Sequence, residues 1–82
     1  MLGKEINRTM ENAKNVARLV HDVLNKREEG ITNYVFHKIE KQTEDIIIVR
    51  VSYTWSLHGH KQPVENIQCA IYKENGIWKQ LV

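Results

Sequence analysis

The spacing of apolar residues changes at Gly30, and this change restricts the possible folds more than any other feature of the chain. Before Gly30, apolar residues recur at alternating intervals of four and three, whereas after it they recur at every second position. The first spacing places side chains on one face of a helix, and the second places them on one face of a strand. The sequence therefore predicts a long N-terminal helix followed by an antiparallel sheet.

The helix is predicted from Lys4 to Arg27, because no residue within that range breaks a helix. Gly30 follows two cations, as is typical of a helix C-terminus. Small alanines in the apolar stripe favour packing on a sheet over a coiled coil. The face predicted to pack is Ile6, Met10, Ala13, Ala17, Val20 and Leu24, widened by Val16 and Val23.

Four strands are predicted after the helix, at 32–40, 45–57, 64–73 and 77–82, with a turn at 58–63. The second has the clearest alternation. Its inward face would carry Ile47, Val49, Val51, Tyr53, Trp55 and Leu57, and its outward face Ile46, Ile48, Arg50, Ser52, Thr54 and Ser56. The helix, ~36 Å long, matches a strand of ~37–40 Å, so a twisted sheet is expected to curl around it.

The last hairpin allows two registers around Asn75-Gly76. A two-residue turn places Ile71 opposite Gln80, whereas a three-residue loop with left-handed Gly76 pairs Tyr72 with Trp78. The longer loop segregates apolar residues better, so it is the predicted register. It gathers Ile67, Cys69, Ile71, Ile77 and Leu81 on the inner face. The outer face then carries Ile46, Ile48, Tyr72 and Trp78.

This order of elements resembles the cystatin-like architecture, which NTF2-like domains share in outline. The resemblance lies in the topology and covers nearly the whole chain. It implies a single α+β domain over residues 1–82, with the helix packed on a curled four-stranded antiparallel sheet (α-β-β-β-β). The sequence has no Gln-x-Val-x-Gly loop of the true cystatins, so no site residues are transferred from either family.

With 82 residues, the chain buries a small core and gains from an additional stabilising element. Cys69 is the only cysteine, so an internal disulfide is impossible and a reducing compartment is favoured. No apolar run approaches the ~18 residues of a membrane span, and the first residues do not form a signal peptide. We expect a cytoplasmic protein without membrane contact.

No group of residues indicates catalysis. His58 and His60, even with His37, make an incomplete metal site, so neither a metal nor a cofactor is predicted. Cys69 lies between Ile67 and Ile71, a setting typical of a buried and unreactive thiol.

The first functional expectation is a non-catalytic protein-interaction module, a homodimer that binds through Ile46, Ile48, Tyr72 and Trp78. The alternative is a small-ligand-binding or minor enzymatic domain of NTF2-like type, with a pocket near Tyr53, Trp55, Leu57 and His58. The second alternative is a weak nucleic-acid binder. Its basic residues would be Lys4, Arg8, Lys14 and Arg18, which Glu5 and Glu11 interrupt.

Overall fold

The computed structural model describes the backbone of residues 2–26 and 29–81, and the side chains of residues 11–26 and 29–81. Helix α1 (Leu2–Leu24) precedes strands β1 (Ile31–Gln42), β2 (Ile46–Leu57), β3 (His60–Glu74) and β4 (Ile77–Gln80). The strands form one antiparallel sheet in the order β1-β2-β3-β4. The predicted α-β-β-β-β order and the α+β class are confirmed. The predicted ends at Arg27 and Val82 lie outside the described residues.

The core lies between α1 and one face of the sheet, which we call the inner face. Two partly buried alanines, Ala13 and Ala17, flank the buried helix stripe instead of forming its centre. The side chains of Ile6 and Met10 lie outside the described residues. All the buried positions described in α1 were among those predicted, but the stripe is rotated so that valines, and not alanines, lie at its centre. Its buried members are Val16, Val20, Val23 and Leu24, and they pack on Ile31, Ile47, Val49, Val51, Tyr53, Cys69 and Ile71.

The chain leaves α1 through a turn that requires glycine. The Asn25 side-chain oxygen accepts a hydrogen bond from the Ile31 amide at 3.0 Å. Gly30 has a φ of +70°, and a Cβ there would lie 2.7 Å from that same oxygen. A side chain at position 30 would be strained by the left-handed backbone and would displace the Asn25 cap.

Both hairpins of the second half use two-residue turns with a left-handed backbone. His58 and Gly59 connect Leu57 directly to His60, so the predicted turn over 58–63 is shorter than expected and β3 already begins at His60. In the other hairpin Asn75 has a φ of 54° and Gly76 a φ of 80°. Such turns match the right-handed twist of the paired strands.

The predicted register of the last hairpin is therefore wrong. Ile71 pairs with Gln80, and Trp78 pairs with Lys73 instead of Tyr72. The fit of Asn-Gly to a two-residue turn outweighs the better segregation of apolar residues that the longer loop offered. Trp78 consequently packs against the core, with the Lys73 amine 5.5 Å from its ring centre. Ile77 moves to the opposite, outer face of the sheet.

The pairing of the strands is irregular at several places. The β1–β2 register shifts three times, and the β2–β3 register shifts once, between Val51 and Tyr53. Two asparagines lie at these shifts with positive φ, Asn33 at 54° and Asn66 at 47°. Bulges of this kind turn side chains out of the regular alternation.

Candidate functional site

The outer face of the sheet, opposite α1, carries a group of apolar side chains on three neighbouring strands. Ile46 is paired with Tyr72, and Ile48 with Ala70. The Leu81 amide donates to the Ala70 carbonyl at 2.9 Å, which places Leu81 next to Ala70 across the β3–β4 ladder. We call this group the apolar patch. Its members are Ile46, Ile48, Ala70, Tyr72, Ile77 and Leu81.

Ile77 and Leu81 are the most exposed members of the apolar patch. Ile77 is 55% exposed and Leu81 is 56% exposed, and Ile46 is 39% exposed. Single exposed apolar residues are ordinary on protein surfaces, but a contiguous group on neighbouring strands is typical of an interaction site. The arrangement can therefore bury apolar area against a second surface.

Two ion pairs adjoin the apolar patch. Lys79 lies on the outer face between Ile77 and Leu81, opposite Tyr72. Its amine lies 3.3 Å from a Glu74 carboxylate oxygen near the β3–β4 turn. Toward the middle of the sheet, Arg50 Nε lies 3.2 Å from a Glu40 carboxylate oxygen. The hydrogen bond donated by Gln68, with a smaller contribution from Arg50, holds the pKa of Glu40 below its usual value. The patch thus has a rim with both signs of charge.

Beyond the Glu40–Arg50 pair, the same outer face contains an open groove of about 500 Å³, which we call the polar groove. Its lining residues include a serine, a threonine, a tyrosine, two asparagines, a histidine and a glutamate, together with three apolar residues. The lining residues are Asn33, Val35, His37, Ser52, Tyr53, Thr54, Pro63, Val64, Glu65 and Asn66.

Ser52 is the centre of the hydrogen bonds in the polar groove. Its Oγ lies 2.7 Å from His37 Nε2 and accepts the Asn66 amide N–H at 2.8 Å. The Asn66 carbonyl accepts a hydrogen bond from Arg50 Nη1 at 3.0 Å. The Asn33 side-chain amide donates a long hydrogen bond of 3.5 Å to Thr54 Oγ1. The two left-handed asparagines are thereby held on opposite sides of β2.

The sequence-predicted pocket residues do not come together around this groove. Tyr53 is buried in the core and lines the groove, but Trp55, Leu57 and His58 do not line it. Trp55 packs against the core from a half-buried position. His58 lies in the exposed β2–β3 turn, where its amide donates to a Glu29 carboxylate oxygen at 3.1 Å.

Three other sets of residues were considered for chemistry: the histidines, Cys69 and the basic residues of α1. Among the described residues there is no group of three His, Cys, Asp or Glu side chains that could hold a metal ion. Cys69 is buried. Lys14 and Arg18 are exposed on α1, and the side chains of Lys4 and Arg8 lie outside the described part. The helix of this chain is too polar to cross a membrane over the residues described.

Comparison with known proteins gives no relative from which a function could be taken: no family model, no curated protein and no solved structure matches the chain.

Sequence reasoning identified half of the apolar patch and missed the polar groove. Ile46, Ile48 and Tyr72 were assigned to the outer face, whereas the wrong register exchanged Trp78 for Ile77 and Leu81. A signal for the groove was available, because asparagine is enriched at positive φ and two asparagines interrupt predicted strands at 33 and 66.

Proposed function

We propose that this chain is a non-catalytic protein-interaction module that forms a homodimer through the apolar patch. The observation that carries the proposal is the exposure of Ile77 and Leu81 beside Ile46, Ile48 and Tyr72 on adjacent strands. Tyr72 supplies an aromatic anchor between Ile46 on β2 and Lys79 on β4, and aromatic anchors are common at interface centres. Trp78, which the sequence had placed in this group, is not part of the proposed interface.

The edges of the sheet are poor candidates for the dimer contact. Strand β1 shifts register three times against β2, and β4 has only four residues. The part of β3 before Ala70 has no pairing to β4, but it contains Pro63 and the left-handed Asn66. Proline and bulges are the features by which proteins prevent edge-to-edge pairing. These features favour contact through the face.

The charged residues around the apolar patch favour a second copy of the chain as the binding partner. An isologous interface brings the same surface together with itself, so charged groups around its centre can pair across it only where both signs are present. The Glu74–Lys79 and Glu40–Arg50 pairs supply both signs. A short domain without a disulfide also gains stability when a partner covers exposed apolar area.

Sedimentation velocity over a range of protein concentrations tests the homodimer. Leu81→Glu places a charge in the patch at the end of the sheet, where it disturbs the monomer least. Val35→Glu is the matched control, because Val35 is 50% exposed on the same face but lies outside the patch. We expect wild type and Val35→Glu to dimerise and Leu81→Glu to remain monomeric with an unchanged circular dichroism spectrum.

Two outcomes of this experiment would contradict the proposal. The first is a wild-type chain that stays monomeric at a concentration of about 1 mM, where even a weak contact of ~4 kcal/mol is half formed. The second is dimerisation by Leu81→Glu that equals that of Val35→Glu.

We further propose that the fold belongs with the cystatin-like architecture, with the sheet curled around α1, and that the protein works in the cytoplasm. The order of helix and strands supports the first assignment. The unpaired Cys69 supports the second, since lone thiols are typical of reducing compartments.

A further inference from the structure

The polar groove is built around backbone conformations that the sheet alone does not require. Asn33 and Asn66 adopt positive φ in strands on either side of β2, and each lies at a register shift. Such conformations cost free energy and cluster at functional sites. Ser52 and Arg50 fix the Asn66 backbone by its N–H and its carbonyl, respectively. The shape of the groove is therefore set before any ligand arrives.

Several polar groups of the groove remain available to a ligand. Among the described residues, the Glu65 carboxylate, the Asn66 side-chain amide and the Asn33 amide oxygen have no hydrogen-bond partner. The Ser52 hydroxyl accepts the Asn66 N–H, and its own hydrogen can point to His37 Nε2. In that arrangement Nδ1 of His37 carries its proton and can donate it. The groove thus offers both acceptors and donors.

The charge and the apolar wall of the groove restrict the class of ligand. Among the described lining residues Glu65 supplies a carboxylate, and the neighbouring Arg50 guanidinium is already paired with Glu40, so the groove disfavours an anionic ligand. Val35, Val64 and Pro63 supply aliphatic contacts beside the amides and hydroxyls. A sugar ring presents the matching combination of C–H faces and O–H edges. The volume of about 500 Å³ lies within the range of small-molecule sites.

We infer that the polar groove is a binding site for a small hydroxyl-rich ligand of the sugar class, either neutral or positively charged. This site is separate from the dimer contact, because the Glu40–Arg50 pair and Gln68 lie between the groove and the apolar patch. Both surfaces can therefore be occupied at once, and the failure of one proposal leaves the other standing.

Titration of the ¹⁵N-labelled chain followed by NMR tests the site, with glucose, glucosamine and glucuronic acid as probes. We expect glucose and glucosamine to shift the amide signals of His37, Ser52 and Asn66 saturably, with a dissociation constant on the order of 1 mM. Glucuronic acid should bind about fivefold or more weakly because Glu65 repels it. Glu65→Gln should bring glucuronic acid to the level of glucose.

Two glycine substitutions separate the ligand contact from the backbone. Asn66→Gly keeps the left-handed backbone and the N–H that bonds to Ser52 but removes the side-chain amide. Asn75→Gly makes the same change at another left-handed asparagine, in the β3–β4 turn outside the groove. We expect Asn66→Gly to weaken glucose binding about tenfold, and Asn75→Gly to leave it unchanged.

The site is overturned if none of the three sugars shifts these signals, or if the shifts fall outside the groove. It is also overturned if ethylamine, which has no hydroxyl, binds as well as glucosamine while glucose does not bind. That result would identify a general cation site at Glu65. Equal effects of Asn66→Gly and Asn75→Gly on glucose binding would show that glucose does not bind in the polar groove.

Discussion

At the residue scale, Tyr34 connects the helix to the sheet by its hydroxyl. The hydroxyl donates a hydrogen bond of 2.7 Å to the Ala17 carbonyl, and the ring contacts His21 edge-on with 5.1 Å between ring centres. Burial raises the pKa of Tyr34 to about 12, with a further contribution from negative charge on Cys69. The folded state therefore keeps the hydroxyl protonated at a pH where the unfolded chain ionises it.

This difference predicts a loss of stability in alkali. The contribution of Tyr34 is fully present below pH 10, the usual tyrosine pKa, and is lost as pH rises toward 12. Tyr34→Phe should cost about 1 kcal/mol at neutral pH through the lost hydrogen bond, and should decline less between pH 10 and 12 than wild type. Urea melts at several pH values measure both effects.

Tyr72→Phe is the control for the Tyr34 experiment, because Tyr72 lies on the outer face and should leave the alkaline decline of the wild type in place. Parallel stability curves for wild type and Tyr34→Phe over this pH range would show that Tyr34 does not cause the decline.

The β3–β4 turn shows what single residues could and could not reveal in advance. Gly76 was expected to be left-handed, and its φ of 80° confirms this. Both candidate loops require that conformation, so Gly76 could not distinguish them. The distinguishing residue is Asn75, whose φ of 54° is compatible only with the two-residue turn. The backbone angle of Asn75 therefore determines which face of the sheet carries Trp78, Ile77 and Leu81.

At the scale of elements, α1 shows how far the spacing of apolar residues predicts which face of a helix packs on the sheet. The spacing correctly indicated a helix with one apolar face, but several adjacent stripes fit the same spacing. Val20 is 0% exposed, whereas Ala17 is only partly buried. Packing against β2 and β3 selects the valine-rich stripe because larger side chains fill more of the interior. The sequence alone contains no information on this rotation.

The rotated stripe predicts unequal effects of the same charge on two neighbouring helix positions. Val20→Asp should cost several kcal/mol and unfold a marginal domain, since it buries a carboxylate without a partner. Ala17→Asp should cost at least ~1 kcal/mol less because the carboxylate can reach water. Asn15→Asp, at an exposed position, should stay within ~0.5 kcal/mol of wild type. Denaturant melts that rank Ala17→Asp equal to Val20→Asp would contradict the packing face described here.

For the strands too, the sequence predicted some features and not others. The alternation in β2 predicted its inner and outer faces correctly up to Trp55, which packs against the core. The bulges of β1 and β3 were not predicted, because a bulge depends on which residues of the neighbouring strand lie opposite it. The polar groove lies at those bulges. The asparagines at 33 and 66 marked their positions, but the sequence did not show which residues of β2 lie opposite them.

At the scale of the whole molecule, the two faces of the sheet have different surroundings. The helix covers the inner face, while the outer face divides into the apolar patch, the ion pair of Glu40 with Arg50, and the polar groove. A single layer of helix covers one face only, so the other face must be polar or be covered by a partner. The half of the outer face with the groove is polar. We expect a partner to cover the half with the apolar patch.

If a second copy of the chain covers the apolar patch, the stability of the fold must depend on protein concentration. Mass action stabilises a folded dimer by ~1.4 kcal/mol for each tenfold increase in concentration. The thermal midpoint of the wild type should then rise by about 3–5 °C per tenfold increase. Val35→Glu should show the same slope, whereas Leu81→Glu should melt at one temperature throughout. Differential scanning calorimetry of the three chains provides the comparison. A flat wild-type midpoint above the concentration at which sedimentation detects the dimer would mean that association contributes nothing to the fold.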